Sequence, residues 1–76
     1  KDTDAEAIEI ELAAGSPAVG RQLIDLGLPR DAVLGGIARG NGVIVPEGDT
    51  MLRVGDHVVV FAKSEAIDAA EKIFLA

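Results

Sequence analysis

The chain has 76 residues, 49% of them hydrophobic, a formal net charge of −6 and no cysteine. Disulfides and thiolate-bound metals are therefore excluded, and a domain this small has a marginal core unless something covers its apolar surface. No apolar run reaches the ~18 residues that a bilayer span needs. With seven scattered basic residues, two Phe, no Trp and no Tyr, nucleic acid and anionic membrane surfaces are not expected partners.

Residues 1–6 (KDTDAE) are polar and are expected to be a frayed end or linker stub, with one domain over 7–76. No signal or transit segment is apparent, and the absence of an initiating Met fits an excised fragment. AIEIEL alternates, with Ile8, Ile10 and Leu12 on one face and Glu9 and Glu11 on the other, which predicts a half-exposed strand. Ser16 and Pro17 then predict a helix start, with Val19, Leu23 and Leu26 at helical spacing and Gly27 and Pro29 as its end.

Residues 33–37 form an apolar strand in which Gly35-Gly36 marks a bulge or a close backbone approach. Gly40-Asn41-Gly42 predicts a tight hairpin, since Asn-Gly readily takes positive φ, and residues 43–45 form the returning strand. Turns at Pro46-Glu47-Gly48-Asp49 and Gly55-Asp56 bracket a short segment containing Met51, Leu52 and Val54. His57 to Ala62 is apolar at nearly every position and reads as a central strand covered on both faces. Ser64 is placed to cap a last helix, whose stripe is Ala66, Ile67, Ala70, Ile73 and Phe74. The fold class is α+β: a small antiparallel-rich sheet of four or five strands with two helices.

Catalytic chemistry finds little support. His57 is the single histidine and follows Asp56, but neighbours on a strand point to opposite faces, so the two do not form a working pair. Ser16 and Ser64 are explained by capping. Glu9 with Glu11, and Glu47 with Asp49, lack the convergent spacing of a hard-cation site and read as solvated carboxylates. Neither an enzyme nor a metal protein is expected. Arg39 ends an apolar strand beside the hairpin, where a free guanidinium is able to grip a phosphate. As an exposed strand-end charge, it is expected to contribute little to folding.

The ordered strings SPAVGRQL, GGIARGNGVIVPEGDT, LRVGDHVVVFA and EAIDAAEKIF resemble the TrkA-C family, also called RCK-C, from about Ile8 to Phe74. That family is the C-terminal ligand-sensing domain of potassium-transport regulators. The resemblance implies a cytoplasmic, non-enzymatic regulatory domain of a potassium-uptake system that acts by dimerisation. In the full-length protein, its partner would be a membrane potassium translocator. Some members bind a small effector such as cyclic di-AMP between two copies, which would make a cyclic dinucleotide the effector here. The matching cleft strands are residues 33–39 and 43–46, with Ile37, Ala38, Arg39 and Asn41 as candidate ligand-binding residues. The alternatives are a ligand-free dimerisation module, or an RCK-C insert of another ion or anion transporter.

Overall fold

A computed structural model describes residues 5–76. Four strands form one antiparallel sheet: β1 (Ala5–Glu11), β2 (Ala32–Arg39), β3 (Gly42–Ile44) and β4 (His57–Lys63), followed by the helix α1 (Ile67–Phe74). The spatial order is β1-β4-β2-β3, so β4 lies between β1 and β2, and β3 is an edge. Of the expected linker, residues 1–4 lie outside the described part, whereas Ala5 and Glu6 already belong to β1.

Register turns the alternating patterns into two distinct faces. On the inner face, Ile10, Val58, Ile37 and Ile44 form one cross-strand row, and Ile8, Val60 and Leu34 the next. The helix α1 packs against β4 and contributes Ala70 and Phe74 to the core, while Ala18, Leu26 and Leu52 complete it from the loops. Full burial of a side chain such as Phe74 contributes about 1.5–3 kcal/mol.

Leu34 and Ile37 both point inward although they are three residues apart, an odd offset that a regular strand would place on opposite faces. The register shift between Leu34 and Gly36 reconciles them, with Gly35 as the extra residue. Gly35 also lies under the Phe61 ring: a Cβ there would approach Phe61 Cδ2 to 2.7 Å. Both expectations for the glycine pair, bulge and close approach, are met.

The outer face departs from expectation. His57, Val59 and Phe61 alternate with buried Val58, Val60 and Ala62, and Phe61 is 49% exposed. The inner face of β4 is covered, but its outer face is open because no element of the described chain packs there.

The segment after Ser16 is not an α-helix. Residues 17–20 make turns, and only Leu23–Asp25 forms a 3-10 turn. Gly20 at φ 84° ends the first turn, and beside its short local turns the segment bonds outward to residues 48–52. Gly20 N–H donates to Leu52 O, Leu23 N–H to Thr50 O and Ile24 N–H to Gly48 O, giving an irregular ribbon. Ser16 keeps a cap-like role, since its Oγ accepts from Ala18 N–H at 3.2 Å. The last helix is entered through a 3-10 turn at Ser64–Ala66 and becomes α-helical at Ile67.

Candidate functional site

The β2–β3 hairpin was the expected ligand site, and its four candidate residues do not share one surface. Pairing of Arg39 with Gly42 leaves a two-residue loop, Gly40-Asn41. The positive φ falls on Gly40, at 58°, and not on Asn41, the pattern of a hairpin with glycine at its first central position. Asn41 is exposed at the tip. Ile37 has no exposed surface and belongs to the inner core, so it lines no open cleft. Ala38 is half-buried on the outer face, opposite both His57 and Val43.

Arg39 is not a free strand-end cation. Its Nε donates to Asp56 Oδ1 at 2.8 Å, and a terminal nitrogen donates to Asp56 Oδ2 at 2.8 Å and to the Met51 carbonyl at 2.9 Å. The turn that delivers Asp56 is built by the sequence: Gly55 sits at φ 87°, and Asp56 N–H donates to Arg53 O. Arg53 N–H donates in turn to Asp56 Oδ2 at 2.9 Å. Gly55 N–H to Leu12 O and Leu12 N–H to Asp56 O, both 2.8 Å, fasten this turn to the end of β1.

Asp56 is 1% exposed. The Arg39 hydrogen bonds, aided by the Arg53 N–H, hold its carboxyl below the ordinary carboxylate range, against burial that pushes the other way. The same hydrogen bonds hold Arg39 above its already high ordinary value. With its fork engaged, Arg39 locks the hairpin to the turn before β4. Sequence reasoning missed this pair; the Gly55-Asp56 turn was seen, but the partner lies 17 residues upstream.

Asp56 and His57 do point to opposite faces, as alternation requires. His57 Nδ1 lies 3.5 Å from Glu9 Oε2, and Nε2 lies 4.0 Å from Glu11 Oε1. The two carboxylates thus flank opposite ring nitrogens and do not converge on one point. Among the described residues, no group of three or more His, Asp or Glu could hold a metal ion.

The outer face of the sheet is open, with Val33, Val43 and Phe61 exposed. Three cross-strand rows compose it: Glu11–His57–Ala38–Val43, Glu9–Val59–Gly36 and Ala7–Phe61–Val33. Val33 is 54% exposed and Val43 is 79% exposed. The exposed apolar side chains run across β4, β2 and the edge strand β3, while the carboxylates of Glu9 and Glu11 line β1. Large apolar groups are thus gathered on one face of this small domain. A second open feature is a shallow pocket of about 320 Å³ between α1 and the chain end, lined by Asp68, Glu71, Lys72, Leu75 and Ala76. Among the described residues, no helix is long and apolar enough to cross a membrane.

A profile of the TrkA-C domain family matches residues 7–75. A Trk system potassium uptake protein TrkA homolog of Archaeoglobus fulgidus is 48% identical over 56 residues, which are 74% of this chain and 13% of that protein. The Trk system potassium uptake protein TrkA of Azorhizobium caulinodans is 40% identical over 73 residues, 96% of this chain and 16% of that protein. The chain therefore spans only a small part of these relatives. A solved chain described as "Structure of RCK domain with cda" superposes with a TM-score of 0.72 at 31% identity, covering 87% of this chain and 94% of its own.

Proposed function

Because the chain belongs to the TrkA-C domain family, we propose that it is a cytoplasmic, non-enzymatic regulatory domain of a potassium-uptake system that works by pairing with a second copy. The observation that carries the pairing is the open outer face, with Val33, Phe61 and Val43 exposed on one side of a sheet whose other side is closed. Apolar area left in water on a 76-residue chain is stabilising once a second copy covers it. The names of the relatives support the potassium-uptake setting, and a membrane translocator is the partner of the longer protein. Regulation follows by population shift: whatever binds one arrangement of the pair more tightly moves the transporter's equilibrium by that difference.

Light scattering coupled to size exclusion, over a hundredfold dilution series, tests the pairing. A dimer mass that falls on dilution is expected, and a monomer mass throughout overturns it.

A second reading adds a small effector, supported by the solved RCK domain described "with cda". In this chain the accessible candidates are Ala38 and Asn41; Ile37 is buried and Arg39 is engaged with Asp56. Calorimetric titration with cyclic di-AMP distinguishes the readings. Saturable binding of one ligand per two monomers supports an effector shared by two copies, and the absence of heat leaves the ligand-free pairing module.

A further inference from the structure

We propose that the free edge of β1 is a strand-addition site for an extended basic segment of a partner, one that alternates Lys or Arg with apolar residues. It uses the rim of the sheet and not the apolar rows that carry the pairing reading, so the two stand or fall separately.

The backbone makes the edge. The order β1-β4-β2-β3 leaves one side of β1 and one side of β3 without a strand neighbour. The two edges are not alike. β3 has three residues and runs out at Val45-Pro46, where the proline has no N–H to continue a ladder. β1 has seven residues, AEAIEIE, with neither Pro nor Gly and no register shift against β4. Antiparallel bonds alternate along a strand. Leu12 N–H donates to Asp56 O and Glu11 lies opposite His57, so the bonds to β4 recur at Leu12, Ile10 and Ile8. Lys63 N–H, which donates to Asp31 O toward β2, fixes the same alternation from the other side of β4. The N–H and C=O groups of Ala7, Glu9 and Glu11 therefore point to the open side. Among the described residues, no other backbone group bonds to them, and all three residues are exposed. An unpaired row of this length is a template for one more strand.

The side chains select which strand fits. Ala7, Glu9 and Glu11 share the outer face, and the Glu9 and Glu11 side chains stay 64% and 66% exposed although His57 lies beside both. A second copy's β1 brings the same carboxylates, and like charges opposed across a strand pair destabilise it. Lys or Arg at those positions makes opposite-charge pairs instead, and the net charge of −6 adds a general attraction for a basic segment. The intervening residues fall on the side of Ile8 and Ile10, where apolar side chains extend the core rows.

A capped peptide of alternating Lys and Val, seven residues long like β1, is titrated into the isotope-labelled chain while amide hydrogen exchange is followed by NMR. The amides of Ala7, Glu9 and Glu11 should slow by about tenfold at about 90% occupancy, since they then exchange from the free fraction alone. A Glu-Val peptide should leave them unchanged. Ala7→Pro deletes an outward N–H without costing a bond to β4, and should weaken peptide binding while the fold persists. If that variant fails to fold, a Lys-Val peptide N-methylated on the amides that face β1 carries the same test and should not protect. Alternating protection by the unmodified Lys-Val peptide alone supports the proposal. Binding without that protection, equal protection by both peptides, or no binding overturns it and leaves the pairing reading to its own test.

Discussion

Arg39 and Asp56, 17 residues apart, meet through two hydrogen bonds of 2.8 Å each, and the carboxylate is 1% exposed. The pair joins the end of β2 to the turn that launches β4. An arginine expected from sequence to be dispensable for folding is thereby part of the structure.

Arg39→Ala is accordingly expected to destabilise the domain by about 2–4 kcal/mol, because it strands a buried carboxylate and frees the Met51 carbonyl. For a domain of this size, that is a fall in Tm of roughly 10 °C or more. Thermal unfolding followed by circular dichroism checks it, and an unchanged Tm would show that the pair contributes nothing. Any loss of ligand binding in this variant has to be read beside its loss of stability.

The direction of the Asp56 shift sets the pH response. Its carboxyl is held below the ordinary range by Arg39, so the folded state favours the ionised form. That stabilisation is fully present above the unfolded carboxylate value of about 3.9 and is lost as pH falls through the lower folded value. Asp56→Asn should cost about 1–3 kcal/mol at neutral pH. It should also unfold with a shallower acid dependence than the wild type below about pH 4. Urea midpoints across that range measure both, and parallel acid curves would refute the assignment.

Gly35→Ala is expected to force the Phe61 ring aside, since the added methyl would meet Phe61 Cδ2 at 2.7 Å. A cost of about 1–3 kcal/mol is expected, as for other overpacked sites. The cost should shrink in a Phe61→Ala background, because the obstructing ring is gone. A double-mutant cycle measures that coupling, and strict additivity would mean that backbone conformation at the bulge, not the ring, limits the residue.

Ile37 distinguishes core from cleft. With no exposed surface, it should cost about 2–5 kcal/mol as Ile37→Ala. A variant that keeps its denaturant midpoint would place Ile37 on an accessible surface after all.

Much of the framework was legible from local patterns. The alternation of Ile8, Ile10 and Leu12 marks the inner face of β1 and continues just past its end, and Ala66, Ile67, Ala70, Ile73 and Phe74 mark the buried stripe that leads into α1. Gly35-Gly36 announced the bulge, and the glycines around Asn41 the hairpin, because backbone freedom at those points is a property of the residue itself. The order of the strings also carried the family resemblance.

Other properties were decided only by the fold. Residues 17–26 have helical spacing, yet Gly20 and the backbone bonds to residues 48–52 draw them into an irregular ribbon, since a partner distant in sequence outcompetes weak local propensity. The apolar run of β4 does not reveal that one of its faces stays open; coverage depends on where α1 packs. Arg39 looked free because its partner is distant in the chain, and only the antiparallel register brings the two together. Periodicity reports which side of a strand each residue takes, whereas the assembled sheet decides what that side meets.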